Sequence, residues 1–398
     1  MKYVEIVGLG PGSKQCITQE VIETIENAEI IIGSKRLTEP YSDTGRKVFC
    51  AVTADAIMDI VKNEDAQKFV VLMSGDTGFY SGTKTLVSRL TSGNYSYRIL
   101  PGISSIVYLA SRIGQPWETA ALVSLHGKRQ SYIPVVMQNE WTYFLTGGNV
   151  AQICQKIEKI GLADAKVWIG ENLSYDNENI VCGKVSEFTD YDAAGLTVMA
   201  VNNENPQSLV ITGIPDDKFI RSDVPMTKRE IRAGVVSRMA VAKDACIYDI
   251  GAGTGSVTVE LALHALYGTV YAVERTPEGC ELIAKNAEHF GLDNIEIING
   301  NAAEVIDDLP APDAVFIGGS GGELECILEK VLKKNPDVHI VITAVTLETL
   351  EQAVSLMEKN NMCADIVQIA VTEVKKRGRY HMMAANNPVF IIEGMHYE

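Results

Sequence analysis

The clearest pattern in this sequence is Tyr248-Asp249-Ile250-Gly251-Ala252-Gly253-Thr254-Gly255, followed at once by the helical pattern 256–262. A short apolar run that ends in an acid and three alternating glycines predicts a strand, a tight loop and a helix N-terminus. Such a loop lets a ligand approach the backbone closely. The glycines stand at the first, third and fifth places, whereas a dinucleotide fingerprint needs one at the sixth place, which here is Ser256. The spacing therefore favours S-adenosylmethionine (SAM) over NAD.

Three more motifs follow in order, each at the end of a predicted strand. The strand 269–273 ends in Glu274, whose carboxylate can accept hydrogen bonds from the ribose hydroxyls of an adenosyl ligand. The strand 295–298 leads to Asn301 and Ala302, which suit the adenine edge, and 313–317 opens into a glycine-rich loop. Together the motifs predict a class I methyltransferase core, with the alternative of an α/β domain whose glycines only make turns. The predicted cofactor-binding residues are Gly251, Ala252, Gly253, Thr254, Gly255, Glu274, Asn301 and Ala302.

Length and charge bound the class of protein. A chain of 398 residues predicts two or three domains, each with its own core. The net charge of −16 argues against nucleic acid or an anionic membrane as the main partner, because phosphate binding needs a basic surface. The N-terminus does not have the pattern of a signal peptide and no run approaches 18 apolar residues, so a cytoplasmic protein without membrane spans is expected.

Cysteine and histidine spacing gives no sign of a metal site. The eight cysteines are scattered without a Cys-x-x-Cys pair, and the six histidines show no ligand spacing. We therefore expect reduced, mostly buried cysteines and no bound metal.

Three polar, glycine-bearing loops follow apolar strands in the first half of the chain. They are 8–12 (Gly-Leu-Gly-Pro-Gly), 74–82 (Ser-Gly-Asp-Thr-Gly-Phe-Tyr-Ser-Gly) and 101–105 (Pro-Gly-Ile-Ser-Ser). Ligands of open parallel sheets bind at the carboxyl ends of the strands, so these loops predict a site, although they could be purely structural.

The same loops resemble those of the tetrapyrrole (corrin and porphyrin) methylases, or class III methyltransferases. The motifs at 33–37 (Gly-Ser-Lys-Arg-Leu) and 124–129 (Ser-Leu-His-Gly-Lys-Arg) resemble the branch that acts at C5 in corrin synthesis. The resemblance covers about residues 1–205 and implies a cofactor folded in a cleft between two α/β lobes, about 1–115 and 116–205. It implies that Leu9, Asp76, Ser104, Ser105 and Thr146 lie near that cofactor. Thr77 stands where many relatives have proline, which makes this loop less rigid.

His126 follows a predicted strand, 121–125, together with Lys128 and Arg129. These side chains could meet substrate carboxylates, and His126 is the candidate catalytic residue. A lone histidine is, however, more often a hydrogen-bonded structural residue.

A polar, proline-containing break at 202–207 sets the predicted domain boundary, with domains at 1–205 and 206–398. Beyond it, Thr227 and Glu230 have the spacing of a capping box, and the same helix start can also lie over the cofactor. The motifs at 225–232, 251–255 and 318–322 resemble the C15 methyltransferases of corrin synthesis, which also decarboxylate. The two halves in this order resemble the fused C5,15-methyltransferases, over nearly the whole chain.

Substrate contacts are predicted at two places in the second half. Gly318, Gly319 and Ser320 would offer backbone donors to a carboxylate. Between two closing strands, 364–371 and 380–393, lies a basic cluster of Lys375, Lys376, Arg377 and Arg379. In so acidic a chain this cluster suits a substrate with many carboxylates, although a solvated hairpin tip or an oligomer contact would explain it equally well.

The sequence thus predicts an α/β protein with a two-lobed N-terminal tetrapyrrole methylase fold and a C-terminal Rossmann-like sheet whose last strand is antiparallel. The predicted function is SAM-dependent methylation of a tetrapyrrole at two carbons with decarboxylation, with one SAM per domain. Relatives of each half form homo-oligomers, so a homo-oligomer is expected. The alternatives are a methyltransferase acting on RNA or another small molecule, and a non-catalytic SAM-binding sensor.

Overall fold

The computed structural model describes residues 2–126 and 130–396, which form two compact units. Unit 1 comprises the described residues 2–126 and 139–206, and unit 2 comprises 130–138 and 207–396. The chain therefore leaves unit 1, contributes a short segment to unit 2, and returns to unit 1 before the final crossing near residue 206. The sequence analysis anticipated only the final crossing.

The first lobe of unit 1 is a parallel sheet with helices between its strands. Its elements are β1 (Tyr3–Gly8), α1 (Gln19–Glu26), β2 (Ile30–Gly33), α2 (Lys35–Thr38), β3 (Lys47–Cys50), α3 (Ala54–Asn63), β4 (Lys68–Met73), α4 (Thr83–Ser92), β5 (Ser96–Leu100) and α5 (Ser105–Ile113). The strand order is β3-β2-β4-β1-β5, with all pairs parallel. The apolar run 69–72 is buried because β4 lies in the middle of this sheet. The Thr18 hydroxyl caps α1 by accepting from Val21 N.

The second lobe is a mixed sheet. The chain continues through β6 (Ala121–Ser124), α6 (Ile133–Gln138, which belongs to unit 2), β7 (Trp141–Leu145), α7 (Val150–Lys159), β8 (Lys166–Glu171), β9 (Asn179–Lys184) and β10 (Thr197–Asn202). The order is β6-β7-β10-β8-β9, in which only the β6–β7 pair is parallel.

Unit 2 is built on a seven-stranded sheet. Its remaining elements are α8 (Arg229–Met239), β11 (Cys246–Ile250), α9 (Ser256–His264), β12 (Thr269–Glu274), α10 (Pro277–His289), β13 (Ile295–Asn299), α11 (Ala302–Val305), β14 (Ala314–Ile317), α12 (Leu324–Lys334), β15 (His339–Ala344), α13 (Leu347–Lys359), β16 (Met362–Ile369), β17 (Thr372–Arg377), β18 (Tyr380–Ala385) and β19 (Val389–His396). The order is β13-β12-β11-β14-β15-β19-β16, and β19 runs antiparallel to both neighbours. The predicted fold class, including the antiparallel last strand, is confirmed. Short 3-10 helices lie at Lys14–Cys16, Glu39–Tyr41, Val185–Phe188, Asp216–Lys218 and Ile306–Asp308.

The core of unit 2 lies on both faces of this sheet. Successive residues of β11 point to opposite faces, so Tyr248 and Ile250 join one apolar cluster and Ile247 joins the other. Both faces are covered by helices, as in other parallel sheets.

The closing strands differ from the prediction. The predicted strand 364–371 corresponds to β16, whereas the predicted strand 380–393 is broken into β18 and β19. β16 and β19 pair in the main sheet, while β17, which was predicted as part of the connection, pairs with β18 in a separate two-stranded hairpin. The break falls at Asn386, Asn387 and Pro388, where proline cannot donate to a strand ladder.

The segment 130–138 is firmly held in unit 2. The Ser131 hydroxyl donates to Asn294 Oδ1 at 2.6 Å and accepts from Asp293 N at 2.7 Å. Ile133 is buried against Gly291, where an added Cβ would lie 2.4 Å from Ile133 Cγ2. Glycine at 291 therefore leaves the space that Ile133 occupies.

The predictions about buried cysteines and about membrane-spanning helices can be compared with the structure. All eight cysteines are free thiols, but only Cys154 is buried, so the expectation of mostly buried cysteines is wrong. Among residues 2–126 and 130–396, no helix has both the length and the apolar character needed to cross a bilayer.

Candidate functional site

The glycine loop of unit 2 lies directly on a second loop. Gly251 follows β11 with φ of 73°, and a Cβ there would approach Gly319 O to 2.6 Å. Gly319 belongs to the loop after β14, the neighbour of β11. Only glycine permits both this backbone conformation and this approach. The two loops thus meet where the strand order of the sheet reverses, which is where open α/β sheets bind ligands.

Glu274 closes one side of this loop. It is only 8% exposed, and its Oε2 accepts from Gly253 N at 3.0 Å. Its Oε1 accepts from Thr276 N at 2.9 Å and from the Thr276 hydroxyl at 2.7 Å. A carboxylate offers about four acceptor sites, so Oε2 can still accept from a ribose hydroxyl.

A cavity of about 710 Å³ opens over these loops. This volume lies within the range of roughly 300–1,000 Å³ found for small-molecule sites. The predicted site residues that line it are Thr227, Gly251, Ala252, Gly253, Glu274, Asn301, Ala302, Gly318, Gly319 and Ser320. The buried acid, the close backbone and the apolar Ile231 and Val273 fit an adenosyl ligand.

Asp249 lies beneath the loop as a fully buried carboxyl group. Thr258 donates its hydroxyl to Asp249 Oδ2, whereas Oδ1 has no hydrogen-bond partner among the described residues. Burial raises the pKa of Asp249 to about 7, and the nearby charge of Glu274 acts in the same direction.

The cleft of unit 1 is built from three loops that pack backbone on backbone. A Cβ on Gly8 would lie 2.7 Å from Gly75 O, and one on Gly102 would lie 2.2 Å from the same oxygen. Gly10 and Gly75 exchange two backbone hydrogen bonds, at 3.1 and 2.9 Å. Larger residues at 8 or 102 would therefore separate the loops.

Asp76 joins two of these loops through its carboxylate. Its Oδ1 accepts from Gly78 N at 2.8 Å and its Oδ2 accepts from Gly102 N at 3.0 Å. Both oxygens thus have a backbone partner before any ligand is considered.

A cavity of about 190 Å³ lies over the three loops. It is smaller than a typical ligand pocket and can enclose only part of a ligand as large as SAM. Asp76, Ser104, Ser105 and His126 line it. Leu9 and Thr146 are buried but do not line it, and the Thr146 hydroxyl donates to Thr197 O at 2.9 Å.

Comparison with known proteins finds a family match for each half of the chain. A family profile described as the precorrin methyltransferase domain matches residues 218–395, and one described as tetrapyrrole (corrin/porphyrin) methylases matches residues 4–189. A probable cobalt-precorrin-6B C(15)-methyltransferase (decarboxylating) from Pyrobaculum calidifontis is 40% identical over 183 residues, which are 45% of this chain and 94% of the relative. The chain belongs to the precorrin methyltransferase family.

One relative also matches nearly the whole chain. A precorrin-6Y C(5,15)-methyltransferase (decarboxylating) from Sinorhizobium sp. is 28% identical over 381 residues, which are 93% of this chain and 90% of the relative. A crystal structure described as precorrin-6Y C5,15-methyltransferase from Geobacter metallireducens is 37% identical and covers 47% of this chain and 97% of its own, with a TM-score of 0.45. As a precorrin methyltransferase, the chain is an enzyme.

Several predicted site residues of this precorrin methyltransferase lie away from the cavities. Thr254 and Gly255 do not line the cavity of unit 2; Thr254 is buried, and Gly255 is the N-cap residue of α9. The cluster Lys375, Lys376, Arg377 and Arg379 is exposed on the β17–β18 hairpin and does not line the cavity. Lys375 forms an ion pair with Glu373 at 3.0 Å. Arg129 lies outside the described residues, so its role stays a prediction.

Two local predictions are corrected. The predicted capping box of Thr227 and Glu230 is wrong, because the N-cap of α8 is Lys228 and no side chain caps the helix. The backbone oxygen of Thr227 accepts from Arg232 Nη1 at 2.6 Å. The N–H groups of Gly318 and Gly319 donate to Ile250 O, at 2.9 and 3.4 Å, and are not available to a carboxylate.

Two arginines at the cavities were missed. Arg36 lines the cleft of unit 1, and Arg275 lines the cavity of unit 2 next to Glu274. Each stands just after a strand, so the rule that ligands bind at strand ends could have indicated both.

Proposed function

We propose that this enzyme methylates a precorrin-type tetrapyrrole at C5 in unit 1 and at C15 in unit 2, and that unit 2 also releases carbon dioxide from a ring acetate. We further propose one SAM in each unit. The observation that carries the proposal is the pairing of the glycine loop with Glu274 at the strand-order reversal of unit 2. The relatives named for C5,15 and C15 chemistry support the choice of substrate.

The contribution of the chain to methyl transfer is positioning. Bound SAM supplies an electrophilic methyl group, and the acceptor carbon must be held in line with it in a water-poor site. Gly251 and Gly253 present backbone to the cavity without side chains, while Glu274 fixes the adenosyl end. The site therefore needs no nucleophilic side chain.

Decarboxylation can use the macrocycle itself. When the bond to the carboxylate breaks, the electron pair passes into the conjugated ring, carbon dioxide leaves, and a proton from solvent later takes its place. The chain needs to hold the acetate out of the ring plane. Ser320 and the exposed Arg275, which both line the cavity, are the groups we assign to the carboxylates of the substrate.

The experiment combines product mass with SAM binding. Incubation of the full chain with SAM and late precorrin or cobalt-precorrin intermediates should yield a product with two added methyl groups and one lost carbon dioxide. Calorimetry should give two SAM sites per chain, and Glu274→Ala should leave one. The matched control, Glu304→Ala, removes an exposed carboxylate that does not line the cavity, so it should keep both sites.

Other outcomes have distinct meanings. Two SAM sites with no mass change from any intermediate would favour a SAM-binding sensor or another substrate. A single methyl group without loss of carbon dioxide would contradict the assignment of decarboxylation to unit 2.

A further inference from the structure

Arg36 lies in the cleft of unit 1 without a carboxylate partner among the described residues. It belongs to α2, immediately after β2, and lines the cavity together with Asp76 and His126. Its Nη1 donates to the Tyr175 hydroxyl at 2.5 Å and its Nη2 donates to the Ser74 hydroxyl at 2.9 Å. Both of these acceptors are neutral. In the part of the chain that the structure describes, Arg36 forms no ion pair.

The free-energy cost of partly burying the Arg36 charge without an anionic partner points to an anionic ligand. A guanidinium has five N–H donors, of which two are used here. Arg36 is half-buried, so its charge is partly removed from water without compensation by an anion of the described chain. Asp76, an acid that lines the same cavity, already accepts from two backbone N–H groups. A carboxylate from a ligand would supply the missing partner.

The neighbours of Arg36 hold it in a fixed geometry. The ring of Tyr175 lies on Gly12, where an added Cβ would be 2.1 Å from the ring. The adjacent Ser174 hydroxyl accepts from Ser13 N at 2.8 Å, and Tyr175 N donates to Asn172 O at 3.0 Å. Tyr175 is thus anchored to the first loop of the cleft, and Arg36 is oriented before a ligand arrives. A planar guanidinium held in this way suits bidentate binding of a carboxylate.

We propose that Arg36 binds a carboxylate of the ligand in unit 1, and that this carboxylate is a side chain of the tetrapyrrole substrate. The inference rests on the proposed function and deepens it, because it names the residue that recognises the polycarboxylate macrocycle. The methionyl carboxylate of SAM has the same chemistry and is the other source that the test must separate.

The test uses Arg36→Gln and Arg36→Lys in the full chain, with Lys35→Gln as the matched control. Lys35 is an exposed cation of the same helix that does not line the cavity. For the tetrapyrrole, Arg36→Gln should raise KM by roughly 10- to 100-fold for the methylation at C5, with kcat changed less than about threefold. Arg36→Lys should recover part of the loss because it restores the charge. Lys35→Gln should stay within about threefold of the wild-type KM.

SAM affinity separates the two carboxylates. In the Glu274→Ala background, where only the site of unit 1 should bind, calorimetry should give the same Kd for SAM with and without the Arg36→Gln substitution. A weaker Kd with an unchanged KM for the tetrapyrrole would overturn the assignment to the substrate and move it to SAM. Equal losses in Arg36→Gln and Lys35→Gln would overturn carboxylate binding by Arg36, because loss of any positive charge from α2 would then have the same effect. Absence of methylated product from the wild-type chain would instead mean failure of the proposed function, and the SAM measurement would still report on Arg36.

Discussion

Protonation of the buried Asp249 is linked to folding. Its carboxyl group is fully buried, and its pKa is raised to about 7 in the folded chain, against about 3.9 when unfolded. Below about pH 4 the group is protonated in both states. Between about pH 4 and 7 the folded state holds the proton and the unfolded state does not, so a rise in pH favours unfolding. The ionised form of Asp249 therefore destabilises unit 2 at neutral pH.

Asp249→Asn should abolish this linkage. From pH 4 to 8, the wild-type free energy of unfolding should fall relative to that of Asp249→Asn by on the order of 4 kcal/mol, with most of the change before pH 7. Urea unfolding followed by circular dichroism measures both chains. All three tryptophans, Trp117, Trp141 and Trp168, lie in unit 1, so their fluorescence identifies the transition that does not involve Asp249. A difference that stays constant with pH would contradict the assignment.

At single residues, some features could be predicted from the sequence and others could not. The place of Glu274 at the cavity was predictable because strand ends converge on one edge of a parallel sheet. The failure at Thr227 has a local cause: the helix starts at Arg229, so Glu230 is its second residue and not its third. The sequence also could not show that the N–H groups of Gly318 and Gly319 are already hydrogen-bonded, because their bonds to Ile250 O depend on how neighbouring loops pack.

At the scale of elements, the loops of unit 1 depend on Asp76. Asp76→Ala would remove the acceptors of Gly78 N and Gly102 N, leaving both N–H groups without a side-chain partner. We expect SAM binding to unit 1 to weaken at least about tenfold, since each good hydrogen bond to a charged group contributes about 1.5–3 kcal/mol. Calorimetry should then find one tight site per chain in place of two.

The control for this loop is Asp43→Ala, which removes an exposed carboxylate of the same lobe that does not line the cavity. It should leave both sites unchanged. Should Asp76→Ala also retain both sites, the link between the two loops would not be needed for SAM to bind.

How well a helix or strand could be predicted depends on the strength of its sequence pattern. The strand before the central glycine loop, β11, could be predicted because a short apolar run next to such a loop is typical of a buried parallel strand. The second closing strand was wrongly predicted as one strand, 380–393, because the sequence pattern does not show that the chain leaves the main sheet there. Whether β17 and β18 join that sheet depends on which neighbours they meet, and not on their own residues.

At the scale of the whole molecule, unit 2 depends on a segment that precedes it in the sequence. Ile133 is buried against Gly291, and Ser131 is bonded to Asn294. Ile133→Ala should destabilise unit 2 by about 2–5 kcal/mol, the usual cost of such a cavity. The urea transition seen by circular dichroism should shift to lower denaturant, whereas the transition seen by tryptophan fluorescence should not move.

Ile220→Ala is the matched control for this prediction, because Ile220 is 40% exposed in the same unit. Its effect should stay within about 0.5 kcal/mol. Equal shifts in the two variants would mean that the segment adds nothing to the stability of unit 2. Sequence alone could not indicate this segment, because a short apolar run does not reveal which distant residues will cover it.

The excursion of the chain at 130–138 has a consequence for how the protein is made. On the ribosome, these residues emerge long before Gly291 and Asn294, so their apolar side chains must wait for a surface that has not yet been synthesised. Folding of unit 2 therefore needs residues 130–138, which are made much earlier, as well as the residues after 206. A gene cut near codon 206 would also leave this segment on the polypeptide of unit 1, so unit 2 made alone would expose the surface that the segment covers.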